Sequence, residues 1–254
     1  MHNTATQLSI YDLPTTQPTS NIVHFPTKPH PKAPQQRVSP IRDPELVNKI
    51  YSALKSTGRY GLRNATIFAL QLAIGRRTND ILRMTLKDVY DFSLQRVKST
   101  ITVDEHKTGK TARDLPMPDQ TRLSLLNYIS TLKDRTPASF LFPSQKRNPD
   151  GSQRPLSTAS LDNIYQDITS VIFSTLDTPE THISSYAARK TYGYNIYTEC
   201  MKNNGILPGT DINALQYIQS CFNHKDTITT LRYIGAYDAP ARQLAEDIQS
   251  KYEF

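Results

Sequence analysis

The stretch Asn223-His224-Lys225-Asp226-Thr227-Ile228-Thr229-Thr230-Leu231-Arg232-Tyr233 decides how this chain reads. Thr227 to Ile234 is predicted to be a short helix, and it carries Tyr233 nine residues after His224. Taken singly, both residues are ordinary: a histidine is commonly a surface or core residue, and Tyr233 next to Ile234 suits plain helix packing. Three further segments change their weight. Gly75-Arg76-Arg77-Thr78-Asn79-Asp80 falls at the junction of two helices, and His106-Lys107-Thr108-Gly109-Lys110 at a hairpin tip. Tyr186-Ala187-Ala188-Arg189-Lys190-Thr191 opens another helix.

These placements come from local signals. Asp43-Pro44-Glu45 is a helix start, with Asp at the cap and Pro in the first turn, followed by Val47, Ile50, Tyr51 and Leu54 at helical spacing. Asn64 is read as the cap of a second helix, Ala65 to Ile74, apolar nearly all round and therefore central. Thr78 to Leu86 reads as a third helix and Val89 to Phe92 as a short strand. Thr100 to Glu105 alternates, with Ile101 and Val103 on one face, and Thr111 to Met117 returns after the Lys107–Lys110 turn. Leu125, Ile129 and Leu132 share a helix face. Ser157 is expected to cap a helix bearing Leu161, Ile164, Tyr165, Ile168, Val171 and Ile172. Ser184 or Ser185 caps the next, ending near Met201, and Asp211 another with Leu215, Ile218 and Phe222. Pro240 to Tyr252 forms the last helix, with Leu244, Ile248 and Tyr252 in a narrow stripe. The fold class is mainly α with a small antiparallel sheet, in one domain over 43–254. Residues 1–42 carry Lys28, Lys32, Arg37 and Arg42 against one acid, Asp12, and seven of the chain's 17 prolines. That composition reads as a flexible, mildly basic tail.

Composition excludes several classes of chemistry. No apolar run approaches the ~20 residues of a membrane span, and no signal-peptide pattern opens the chain. The two cysteines, Cys200 and Cys221, make no CxxC pair, and the six histidines show no HxH or HExxH. A disulfide scaffold and a catalytic metal are therefore not expected. None of the nine glycines belongs to a GxGxxG or GxxxxGK[ST] motif, which disfavours dinucleotide and P-loop cofactors. The net charge of +7 permits a polyanionic partner.

In order and in element type the four segments resemble the tyrosine recombinases, also called the phage integrase family. Members carry an Arg in G-x-R-x-x-[ED], a hairpin Lys, an [H/K]-x-x-R box, and a His or Trp nine residues before a nucleophilic Tyr. The resemblance covers residues 43–254 and implies the catalytic-domain fold of DNA breaking-rejoining enzymes. Most members have a separate helical domain ahead of the catalytic one. Only the proline-rich tail precedes Asp43 here, so the chain resembles catalytic-domain-only members such as fimbrial invertases and plasmid multimer resolvases.

The chemistry implied is phosphodiester transfer without a cofactor or metal. Arg77 and Arg189 would grip the non-bridging oxygens of the transition state, which guanidinium forks bind bidentately. Tyr233, with an ordinary pKa near ~10, would attack and form a 3′-phosphotyrosine that stores the bond energy. Lys107 would protonate the 5′ leaving oxygen, His224 would donate to a phosphate oxygen, and Asp80, one turn from Arg77, would brace the site. Arg76, Lys110, Arg113, Lys190 and Arg232 are candidate DNA contacts. The implied partners are double-stranded DNA and further copies of the chain in a tetrameric synapse, with no membrane, in the cytoplasm at the nucleoid. The last helix would dock on a neighbouring subunit.

One position departs from the pattern. The [H/K] of the box is Tyr186, a phenol that hydrogen-bonds but is a poor base at neutral pH. His182 precedes it by four residues, off the family's spacing. The departure leaves open a regulator that binds DNA without cutting it, beside a type IB topoisomerase-like nicking and rejoining enzyme.

Overall fold

The computed structural model describes residues 38–107, 109–173 and 183–237, all within one compact unit spanning 37–254. Helix α1, Pro44–Lys55, starts as its sequence requires: the Asp43 carboxylate accepts from the Glu45 amide at 2.8 Å, and Pro44 fills the first turn. Ile50 and Leu54 are fully buried. Helix α2, Gly61–Ile74, is the centre of the fold and packs against α1 and two helices introduced below. It begins earlier than its sequence suggests. Asn64 lies inside it, 4% exposed, and its side chain accepts from Arg63 and donates to Thr57 instead of capping.

The expected third helix divides in two. Helix α3 covers Thr78–Leu82 and α4 covers Leu86–Val89. Thr85 restarts the helix through a capping box, its amide and hydroxyl both donating to Asp88 Oδ2. Strand β1, Tyr90–Asp91, pairs antiparallel with β2, Arg96–Val97. Strand β3, Thr100–Asp104, pairs antiparallel with β4, Thr111–Pro116, with Ile101 opposite Leu115 and Asp104 opposite Thr111. Ile101, Val103 and Leu115 seal this hairpin onto the core.

Helix α5, Asp119–Ser130, buries Leu125 and Ile129, whereas Leu132 follows its end. Helix α6, Thr158–Phe173, starts at Ser157, whose hydroxyl accepts from the Ser160 amide, and buries Leu161, Tyr165, Ile168 and Ile172. Val171, expected on that face, is 63% exposed because at ~100° per residue it falls about a quarter turn off the stripe. Helix α7, Ser185–Met201, is capped by Ser184. Helices α5 and α7 both pack against α2. Helix α8, Ala214–Phe222, is capped by Asn213, not by Asp211, which lies in the turn before it. Helix α9, Thr227–Tyr233, is capped by Asp226. The expected helix 240–252 and residues 1–37 lie outside the described residues.

Among the described residues two apolar clusters result. The larger surrounds α2, and a smaller one joins Ile218, Cys221, Phe222, Ile234 and Ala236 to the tyrosines of α7. Packed chain also extends ahead of Asp43: Ile41 is 2% exposed and its amide donates to Thr191 Oγ1. Among the described residues no helix is long and apolar enough to cross a membrane, and no group of His, Cys, Asp and Glu could hold a metal ion.

Candidate active site

The site is built from helix ends. Helix α2 stops at Gly75, whose φ of 58° is the left-handed conformation a glycine adopts without strain. A Cβ there would lie 2.1 Å from the Tyr192 ring, so side-chain space is lacking as well. The tight stop sends Arg76 inward and places Arg77 at the cap of α3.

Arg189, in the second turn of α7, is 4% exposed. Its guanidinium donates to the carbonyl of Gly75 at 3.0 Å and to that of Phe222 at 3.4 Å, and stacks 4.4 Å over the Phe222 ring. Both carbonyls belong to helix C-termini, which carry partial negative charge and favour a cation. Sequence-distant ends of α2 and α8 thereby fix one arginine.

Tyr233 is the last residue of α9, its ring edge to face with Phe222 at 5.3 Å, the same ring on which Arg189 stacks. Burial raises its pKa, while Arg189 and Arg77 pull it back down. The His224 ring meets the Tyr233 ring edge to face, centroids 4.9 Å apart. His224 Nδ1 lies 3.1 Å from Thr230 Oγ1, which orients the imidazole. Burial first, then the positive charges of Arg189 and Arg77, hold His224 below the usual histidine range. Tyr186 is 56% exposed at the start of α7, close enough that its phenol adds to the cost of ionising Tyr233.

The structure thus gathers Arg77, Arg189, His224, Tyr233 and Tyr186. Lys107 stands exposed on the hairpin turn. The hairpin itself is tied down on both sides: Asp80 Oδ1 accepts from the His106 amide at 3.0 Å, and Lys110 Nζ donates to Asn223 Oδ1 at 2.7 Å. Asp80 therefore braces the base of the lysine-bearing turn. It is 4% exposed, and burial raises its pKa against the lowering influence of the His106 N–H and Arg77.

The expected DNA contacts fare unequally. Arg76 is corrected: it is 4% exposed, donating to the Ile74 carbonyl and ion-paired with Glu105 at 3.3 Å, so its guanidinium is a buried structural charge. Lys190 donates to the Val38 carbonyl at 2.6 Å and sits 5.0 Å from the centroid of the Tyr233 ring. Arg232 is exposed and stacks on Tyr237 at 4.7 Å. Arg113 is on β4, and its side chain lies outside the described residues, as does His182.

Glu105 is the residue that reading the motifs missed. It is 5% exposed and bridges Arg76 at 3.3 Å and Arg77 at 2.5 Å. Strand periodicity carried the signal, because Ile101, Val103 and Glu105 continue one inward face, and an inward acid requires a cationic partner.

The fold is that of the tyrosine recombinase catalytic domains. Among solved structures, XerA recombinase matches with a TM-score of 0.54 at 16% identity, over 87% of this chain and 68% of that one. The Tn1549 transposon integrase, solved with a circular intermediate DNA, matches with a TM-score of 0.51 at 16% identity, over 80% of this chain and 63% of that one. XerH recombinase bound to its difH substrate matches with a TM-score of 0.52 at 16% identity, over 78% and 51% respectively. The chain thus spans about half to two thirds of the length of these relatives. The Phage integrase family profile matches residues 43–239, and the chain belongs to that family. No curated protein sequence matches it.

Proposed function

We propose that this chain is a site-specific DNA recombinase that cleaves and rejoins duplex DNA through Tyr233. The carrying observation is the convergence of Arg189 and His224 on Tyr233, with Arg77 close enough to influence the ionisation of both His224 and Tyr233. A scissile phosphate entering this cluster supplies the negative charge that Arg77, Arg189 and a protonatable His224 lack a full complement for. The Tyr233 hydroxyl gives up its proton to water, and its oxygen bonds to phosphorus as the P–O5′ bond breaks. Fixed guanidinium groups in a partly dehydrated pocket favour both the phenolate and the charged transition state. Lys107, carried on the braced hairpin, gives its proton to the departing 5′ oxygen. Tyr186 hydrogen-bonds a phosphate oxygen from the helix start, where backbone amides and the α7 dipole also favour an anion. Partners on this reading are duplex DNA and further copies of the chain, since exchange between two duplexes takes four cleavages. Integration, excision, inversion and multimer resolution all use this one step.

The reading is tested with a library of nicked duplexes carrying a randomised core, in which the short cleaved product diffuses away and traps the intermediate. A denaturation-resistant protein–DNA band is expected. Specific binding to selected duplexes with no such band would favour a DNA-binding regulator, the reading to which the phenol at Tyr186 lends support. Adducts on any supercoiled DNA, formed by a monomer, would favour topoisomerase-like nicking.

A further inference from the structure

The five residues Val38–Arg42 lie ahead of the stretch matched to the family, yet they contact the nucleophile's surroundings at several points. The Val38 carbonyl accepts from Lys190 Nζ at 2.6 Å, and the same ammonium sits 5.0 Å from the Tyr233 ring centroid. Ile41 is 2% exposed, its amide donating to Thr191 Oγ1 at 2.8 Å. Arg42 donates to the Gly235 carbonyl at 2.8 Å and stacks 5.2 Å over Tyr194. Gly235 has a φ of 70°, and a Cβ there would lie 3.2 Å from Pro40, so the segment lies directly over this glycine.

Gly235 follows Tyr233 by two residues, in the turn that ends α9. Helix α9 has only seven residues. A helix that short is marginal by itself and frays at its ends, and Tyr233 is its final residue. Its C-terminal carbonyls favour a cation, and Arg42 supplies one at Gly235.

We propose that Val38–Arg42 is a positioning strap for the nucleophile, with Arg42 holding the turn after Tyr233 and the Val38 carbonyl holding Lys190 beneath the phenol ring. The strap acts through Tyr233 and touches no reacting atom. This inference rests on Tyr233 being the nucleophile.

The test uses the full chain carrying Arg42→Met, which keeps the stem and removes the charge and donors, beside Arg42→Lys. At saturating nicked duplex, Arg42→Met should form adduct ~10-fold more slowly, with duplex affinity within about two-fold and its salt dependence unchanged. Amide exchange at Ile234, Gly235 and Ala236 should quicken, and Arg42→Lys should recover most of the rate. Lys190→Met, which cuts the second tie, should show the same rate-selective loss. Combined with Arg42→Met it should do less than the product of the two, because both act on one element. An unchanged adduct rate at saturation overturns the proposal. So does a defect confined to affinity, with the salt slope reduced by about one ion, which would make Arg42 a phosphate contact. If the unaltered chain forms no adduct, the proposed function fails. The strap is then judged by amide exchange alone, and unchanged exchange in Arg42→Met overturns it.

Discussion

The pocket around Arg189 and the hairpin tip bearing Lys107 are opposites in construction. Arg189 is buried, held by two helix-terminal carbonyls and stacked on Phe222. Lys107 is exposed, on a turn whose neighbours are tied to Asp80 and Asn223. The difference matches what each group is asked to do on the proposed reading. Charge stabilisation works best from groups fixed before the reaction, because nothing then reorganises as charge develops. A proton donor to the leaving strand must meet an oxygen whose place is set by DNA. The arginine is accordingly fixed by the chain itself, whereas the lysine stands exposed on its turn.

The largest effect that sharpens this contrast is at the hairpin. Lys107→Ala should slow cleavage ~10²- to 10⁴-fold, the range for a lost general acid. Replacing the 5′ bridging oxygen by sulfur should restore most of that rate, since a thiolate, with a parent pKa near ~8.5, leaves without a proton. Failure of sulfur to rescue would remove Lys107 from the acid's role and turn attention to Lys110, which already reaches Asn223.

The pocket should behave in the opposite way. Arg77→Lys and Arg189→Lys keep the charge and lose the planar fork, and each should cost ~10² to 10³ in cleavage rate. Sulfur substitution should rescue neither. The two should differ in stability: Arg189→Lys leaves buried carbonyls short of a donor and should lower the melting temperature, whereas Arg77→Lys, at a side chain 24% exposed whose charge can still meet Glu105, should lower it less. Cleavage near normal in either variant would take that arginine out of the site.

A smaller effect separates Tyr186 from the rest of the pocket. Tyr186→Phe should slow cleavage about ten-fold or less, the scale of one neutral hydrogen bond of ~1 kcal/mol. Tyr186→His should keep activity or raise it, because imidazole titrates near neutrality. An unchanged rate in Tyr186→Phe would make the hydroxyl a bystander.

The smallest effect is on affinity. Burial and the two arginines hold His224 below its usual range. A phosphate beside it adds an opposite charge and raises that pKa. Binding then takes up a proton, so affinity at fixed salt should strengthen as pH falls through the window between bound and free values, by no more than about tenfold per pH unit for one site. His224→Gln should flatten that slope. A slope unchanged in His224→Gln would place the phosphate elsewhere.

Much of this was legible in local sequence because the chemistry sits at helix termini, and termini leave local marks. Asp43 and Ser184 cap as read, and the all-round apolar pattern of α2 places it at the centre. Where the reading slipped, tertiary contacts decided. Asn64 looks like a cap but lies within α2, hydrogen-bonded to Thr57. Asp211 and Asn213 are equivalent cap candidates by residue type, and the Ile206–Asn213 bridge selects the latter. Arg76 and Arg77 are adjacent and alike in sequence, and only the Gly75 stop and Glu105 decide which is buried. The Val38–Arg42 strap was invisible because its partners lie about 150 to 190 positions away, at Thr191 and Gly235.

The most direct test of the central claim is the location of the covalent bond. The trapped adduct is digested with nuclease and protease, and the residual nucleotide is mapped by fragmentation mass spectrometry. The expected result is a 3′-phosphonucleotide on the Tyr233 hydroxyl and no adduct at all from Tyr233→Phe, with duplex affinity kept within a few fold. A nucleotide on Tyr186, Tyr237 or any other side chain, or an adduct that persists in Tyr233→Phe, would contradict it.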